Sequence, residues 1–172
     1  HNFYRYTLNN NINELSEMIK SKINTTLSTV FLAALIRSLS NIMSANEFSV
    51  MVEKHGREHI SSDIIIDRTI GWFTYKIPII LKVCDDIMKN IVNTKEKMLS
   101  IPDEGIGYGL LKYSNQLSDN YGHTDILYNY LGENELYQDN KIFRETDIQS
   151  YSSRIESYDS GSYLTFNILI NH

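Results

Sequence analysis

Two runs, Glu53-Lys-His-Gly-Arg-Glu58 and, after a short spacer, Arg68-Thr-Ile-Gly-Trp-Phe-Thr74, decide how the rest of the chain is read. The first puts two carboxylates, an imidazole and a guanidinium within six residues. It is fed by Phe48-Ser-Val-Met-Val-Glu53, a buried-type strand that delivers Glu53 to its C-terminal end, and Gly56 breaks the run. Strand ends that open into loops are where open α/β sheets carry chemistry. The second run sets Arg68 and Thr69 ahead of a glycine and two large aromatics, Trp72 and Phe73, which read as core. Local composition alone favours a blander reading: a strand, a polar loop over 56–67 and a second strand.

Working outward, Phe3–Leu8 alternates aromatic and polar residues and reads as a strand. Asn9, Asn10 and Asn11 suit a helix cap. Ile12, Leu15, Ile19 and Ile23 recur at helical spacing and predict an amphipathic helix over 12–23. A second helix is predicted over about 25–43, with a broad apolar face running from Leu27 to Ile42. Ile70–Val83 reads as a long strand in which Pro78 forces an edge position or a bulge. A helix over about 85–100 follows, with Asp85 and Asp86 at its positive end and Lys95 and Lys97 at its negative end. Pro102 stops it.

Gly105, Gly107 and Gly109 come next, at every second position. They lack the Gly-Lys-Ser/Thr ending of a phosphate loop and follow a helix. They read instead as places of close backbone packing, with Tyr108 wedged against a neighbour and a short helix running to Tyr113. Ser114–Thr124 is a polar connector, Ile126–Leu131 a strand, Asn134–Gly161 polar and irregular, and Tyr163–Ile170 a final strand. The order of elements gives an α/β lobe with a mixed sheet and packed helices.

Composition narrows the function. A chain of 172 residues suits one domain or one lobe of a larger one. The net charge of −5, with no basic run, argues against a nucleic-acid surface. No stretch is apolar enough to span a membrane, and the start has no signal-peptide pattern. The single cysteine, Cys84, excludes an internal disulfide, fits a reducing cytoplasm, and reads as a structural thiol rather than a nucleophile. The five histidines are scattered, and His55 and His59, though four apart, flank Gly56 in a loop, so no metal site is expected. The chain opens and closes mid-pattern, as an excised piece of a longer polypeptide would.

Four blocks carry a resemblance. Glu53–Glu58 resembles the E-G-H-G-R-E pattern of the epimerization domains of nonribosomal peptide synthetases, members of the condensation-domain superfamily, with Lys54 in place of the first Gly. Arg68–Pro78 resembles their R-T-V-G-W-F-T-x-x-Y-P, with Ile70 for Val and Ile77 for Tyr. Pro102–Gly109 is similar to P-x-x-G-x-G-Y-G, and Tyr128-Asn-Tyr-Leu-Gly132 to F-N-Y-L-G. Their common order over about eighty residues makes the match specific.

The resemblance implies one lobe of the two-lobed chloramphenicol-acetyltransferase-like fold. Residues 1–172 would be the C-terminal lobe, because the chain contains no H-H-x-x-x-D-G, the motif whose second histidine the resemblance places in the N-terminal lobe. It implies inversion of the α-carbon of an aminoacyl or peptidyl thioester. The substrate would arrive on the phosphopantetheine arm of a peptidyl carrier protein, with no cofactor bound directly. Such chemistry needs an acid/base group on each face of the carbon and a donor for the enolate oxygen.

The resemblance makes Glu53 one of the two acid/base groups. A carboxylate partly buried behind aromatics is brought toward acid/base work at neutral pH, while a cation at Lys54 counts the other way. Asn129, Arg68, Tyr130 and His55 are the substrate-binding candidates. Asn129 either bonds the substrate carbonyl or satisfies nearby backbone. Arg57 and Arg68 either pair with Glu58, Asp63 or Asp67 or contact substrate. His55 either moves a proton or fixes its loop. Two other readings stand beside epimerization: the same lobe of a condensation domain, and a lobe that only binds a carrier protein. Gly71-Trp-Phe-Thr74 favours epimerization, since condensation domains show F-V-N-T there.

Overall fold

A computed structural model describes residues 4–7, 12–58, 65–66, 68–114, 116–117, 124–134 and 161–171. In chain order these form helices α1 (Ile12–Ile23) and α2 (Leu27–Met43), strands β1 (Glu47–Lys54) and β2 (Tyr75–Lys82), and helix α3 (Ile87–Leu99). A 3-10 turn (Pro102–Gly105), helix α4 (Gly107–Tyr113) and strands β3 (Ile126–Asn134) and β4 (Leu164–Asn171) complete the set. The strands make one sheet in the order β2-β1-β3-β4, antiparallel between β1 and β2 and parallel elsewhere. The mixed α/β architecture is the one the sequence predicts.

The ends of the helices follow local chemistry. The Thr26 hydroxyl accepts the Thr29 N–H at 3.3 Å, and Ser44, in a left-handed conformation, returns its N–H to Ser40. Asp86 Oδ1 accepts the Met88 and Lys89 N–H groups at 2.7 and 3.1 Å and starts α3. The buried Asn90 staples that start to the end of β2. Its Oδ1 accepts the Cys84 N–H at 2.7 Å, and its Nδ2 donates to the Cys84 carbonyl at 2.8 Å. The half-buried Cys84 thiol donates to the same Oδ1.

The core lies between α2 and one face of the sheet. Leu32, Ile36 and Leu39 meet Val50, Val52, Ile77, Ile79, Ile126 and Tyr128. Each fully buried side chain of this kind contributes about 1.5–3 kcal/mol. Alternation along the strands sends the residues between them to the other face. β2 is an edge strand, which accommodates Pro78 opposite Met51.

Several expectations are corrected. Tyr4–Thr7 forms no strand; Tyr4 and Tyr6 are exposed and pair with no neighbouring strand among the described residues. The strand predicted from Ile70 begins only at Tyr75. Ile70 is 100% exposed and Trp72 87%, so neither is core; a run of apolar residues was mistaken for a buried one. Of the three spaced glycines only Gly105 is needed for close packing. Its φ is +85°, and a Cβ there would meet Ile77 Cγ2 at 2.6 Å, whereas Gly107 and Gly109 face open space. The asparagine cap at 9–11 and the segments 118–123 and 135–160 lie outside the described residues, as does most of the loop from His59 onward.

Candidate functional site

Register places one polar residue from each strand side by side. Glu53 of β1 is opposite Lys76 of β2 and Asn129 of β3, and Asn129 is opposite Asn167 of β4. One step along, Val52, Ile77, Tyr128 and Phe166 are in the same register and pack on the helix side. The row Lys76–Glu53–Asn129–Asn167 therefore lies on the opposite face. It sits near the C-terminal end of β1, where the sequence predicts a site.

Two contacts tie the row together. Lys76 Nζ is 4.0 Å from Glu53 Oε2, and the Glu53 side chain is only 15% exposed. Asn129 Nδ2 donates to Asn167 Oδ1 at 3.2 Å. Glu53 and Asn129, chosen separately from sequence, are thus neighbours. The described partner of Asn129 is another side chain, not backbone, and one N–H and the Oδ1 of its carboxamide have no partner among the described residues.

Lys54 is not the cation beside Glu53. Successive residues of a strand alternate faces, so Lys54 turns to the helix side. There its Nζ lies 2.6 Å from Glu104 Oε2 and 3.8 Å from Glu58 Oε1. Glu58 is a buried carboxylate, 7% exposed, and neither oxygen has a hydrogen-bond partner among the described residues. Tyr75 donates to the Glu104 carbonyl at 3.1 Å. Burial, then the Glu58 and Glu104 carboxylates, push its phenol above its ordinary range.

The runs Glu53–Glu58 and Arg68–Thr74 are stitched to each other. The Arg57 guanidinium donates to the carbonyls of Ile66 (2.7 Å), Thr69 (3.1 Å) and Gly71 (3.4 Å) and lies over the Phe73 ring. Gly56, at φ +74°, lets the Phe73 carbonyl approach to where a Cβ would be. Among the described residues Arg57 is therefore bound by carbonyls and a ring rather than by an ion pair; Asp63 and Asp67 lie outside them. His55 Nδ1 accepts the Arg57 N–H at 2.9 Å, and its Nε2 is 3.7 Å from Glu58 Oε1. That hydrogen bond shapes the turn after β1.

Arg68 is exposed in the turn closed by the Thr69 N–H on the Ile66 carbonyl. Tyr130 is on the wrong face for a partner of Glu53. Its ring stacks on Phe31 of α2, with centroids 6.5 Å apart, and burial followed by the Glu133 carboxylate raises its phenol. The structure thus brings Glu53 and Asn129 together, leaves His55 and Arg68 in the clamped loop, and puts Tyr130 against the helix layer.

Lys76 and Asn167 were missed in the sequence. Asn167 lies within the final strand read over Tyr163–Ile170, and nothing local says which strand it pairs with. A shallow cleft lined by Glu47, Ile80, Lys82, Asn93 and Lys97 lies at the far end of β1 and β2. Six residues of strand, about 20 Å, separate Glu47 from Glu53.

The Condensation domain model matches residues 2–169. Bacitracin synthase 1 of Bacillus licheniformis is 37% identical over 126 residues, which is 72% of this chain and 2% of that protein. Surfactin synthase subunit 2 of Bacillus subtilis (strain 168) is 35% identical over 111 residues, 63% of this chain and 3% of that one. Among solved structures, the epimerization domain from the third module of tyrocidine synthetase B matches with a TM-score of 0.64 and 30% identity. That match covers 72% of this chain and 30% of that one. The first condensation domain of the calcium-dependent antibiotic synthetase matches in fold, with a TM-score of 0.53 and 16% identity over 69% of this chain and 27% of that one. The chain spans less than a third of each of these proteins.

Proposed function

The chain belongs to the condensation-domain family, and on that premise we propose that it is the C-terminal lobe of an epimerization domain in a nonribosomal peptide synthetase. The observation that carries the reading is Glu53, a largely buried carboxylate at a strand end, flanked in register by Asn129. The 30% identity to an epimerization domain, against 16% to a condensation domain, supports it, as does Gly71-Trp-Phe-Thr74.

In this reading Glu53 takes or returns the α-proton on one face of a carrier-tethered aminoacyl or peptidyl thioester. A histidine of the N-terminal lobe serves the other face. Removal of the proton leaves an enolate, whose oxygen takes a hydrogen bond from the Asn129 N–H that is not bonded to Asn167. Reprotonation from the opposite side inverts the centre. Arg68 and His55 hold the loop beside the substrate. The partners are a peptidyl carrier protein bearing phosphopantetheine and the N-terminal lobe, and the compartment is the cytoplasm. Residues 1–172 alone, with one of the two proton-transfer groups, are inactive.

The test is deuterium uptake from solvent at the α-carbon of a carrier-tethered aminoacyl thioester. The full-length protein carrying this chain, its Glu53→Gln variant and residues 1–172 alone are compared. Uptake only in the first is expected. Full uptake in Glu53→Gln removes Glu53 from the proton path. No uptake in the full-length protein, with peptide-bond formation instead, assigns the lobe to a condensation domain.

A further inference from the structure

We propose that Asn167, on the neighbouring strand, is a positioning residue that holds the Asn129 carboxamide in place beside Glu53. Only one side of that carboxamide can meet Asn167 Oδ1, because an amide carries donors on its nitrogen and none on its oxygen. In the structure Asn129 Nδ2 donates to Asn167 Oδ1 at 3.2 Å. Rotating Asn129 alone by half a turn about its terminal bond would set two carbonyl oxygens against each other, so Asn129 can turn only together with Asn167 and each side chain restrains the other. In this arrangement Asn129 Oδ1 faces away from Asn167, and the second N–H of Asn129 has no partner among the described residues.

The strands enforce the arrangement. Asn129 and Asn167 are in register on parallel strands, and the Leu127↔Thr165 pair precedes them on the same face. The irregularity of the β3–β4 ladder falls between Tyr130 and Gly132, beyond the pair, so register at Asn129 is undisturbed. The next strand toward β2 carries Glu53, in register with Asn129. The restraint from Asn167 thus acts on a residue in register with the proposed proton-transfer group. Asn167 itself need not touch substrate.

This inference takes its reaction from the epimerization reading, but its geometry stands apart from it. The experiment uses the full-length protein carrying residues 1–172, with Asn167→Ala and Asn167→Asp. Aspartate keeps the acceptor oxygen at the same reach, and alanine removes it. Deuterium exchange at the tethered α-carbon should lose about tenfold in kcat in Asn167→Ala, with KM and the thermal midpoint unchanged. Asn167→Asp should recover most of that loss, which a merely structural role would not produce. Equal rates in wild type and Asn167→Ala, or an Asp variant as slow as the Ala variant, overturn the proposal. If the wild type exchanges no α-proton, the epimerization reading fails by itself. The same variants are then ranked by peptide-bond formation from the same thioester, where the order wild type, Asp, Ala supports positioning by Asn167 and equal rates overturn it.

Discussion

The Arg57 guanidinium carbon sits 4.8 Å from the centroid of the Phe73 ring, and the same group donates to three backbone carbonyls between Ile66 and Gly71. One side chain from the loop after β1 thereby fixes the segment leading into β2. Replacing Arg57 by Ala should cost about 2 kcal/mol, from charged hydrogen bonds discounted for partial exposure plus the ring contact. Lysine should not rescue it, because a point charge cannot serve three carbonyls and stack on a ring at once. Urea unfolding gives the cost. Hydrogen exchange should show the Thr69 N–H losing protection in both variants, and retained protection in Arg57→Lys would count against the clamp.

The spaced glycines give a prediction with two signs. Gly105→Ala places a Cβ 2.6 Å from Ile77 Cγ2 in a positive-φ backbone and should destabilise by about 2–3 kcal/mol. Gly109→Ala, inside α4 with open space around it, should stabilise by about 0.5–1 kcal/mol. Both are read from denaturant midpoints. A stabilised Gly105→Ala, or a clear loss at Gly109→Ala, contradicts the packing described.

These cases show where sequence was informative. Helix α1 was legible to the residue, because Ile12, Leu15, Ile19 and Ile23 repeat at helical period; α3 was legible because aspartate starts it. Strand β1 was legible as an apolar run ending in Glu53. Trp72 was misread because apolarity does not say whether a neighbouring layer exists to cover it. Lys54 was misread as the cation beside Glu53 because adjacency in sequence is opposition across a strand. Lys76 and Asn167 could not be found, since both belong to the row through register alone, and pairing of β1 with β3 and of β3 with β4 spans long stretches of chain. The same register corrects Tyr130, which is one residue from Asn129 and therefore on the other face.

Glu58 offers a test of buried charge. Its carboxylate is nearly inaccessible, with the Lys54 ammonium at 3.8 Å, the His55 ring at 3.7 Å and no hydrogen bond among the described residues. Glu58→Met should leave stability unchanged or raise it by about 1 kcal/mol, since the desolvated charge is removed while Lys54 keeps Glu104. Lys54→Met should instead cost about 3 kcal/mol by stranding that charge. A second reading is available by ultraviolet titration. Burial is the main cause of the raised Tyr75 phenol and Glu58 the next, so Tyr75 in Glu58→Met should ionise at lower pH than in wild type but still above an ordinary tyrosine. An unmoved Tyr75 titration would mean the two groups do not interact.

Tyr128 sets an alkaline limit on the fold. It is among the most buried side chains, and its hydroxyl donates to the Ser28 carbonyl at 2.7 Å. Burial is the dominant cause that pushes its phenol above the ordinary value; the hydrogen bond with the Ser28 side chain works against it. The folded state therefore holds this proton at pH values where the unfolded chain has lost it. Protons bound in the unfolded state are then fewer than in the folded one, and stability falls as pH rises. The contribution is complete below about pH 10, where unfolded tyrosine is still protonated, and is lost above it at up to about 1.4 kcal/mol per pH unit for one such group. Tyr75 and Tyr130 are shifted in the same direction and steepen the wild-type decline, less strongly because they are more exposed. Tyr128→Phe should lose about 1 kcal/mol at neutral pH with its hydrogen bond, yet decline less steeply above pH 10. Unfolding free energies at several pH values from 8 to 11 measure both slopes. Parallel slopes for the two proteins would mean that Tyr128 ionises as readily folded as unfolded, and would remove burial of its hydroxyl as the source of alkaline sensitivity.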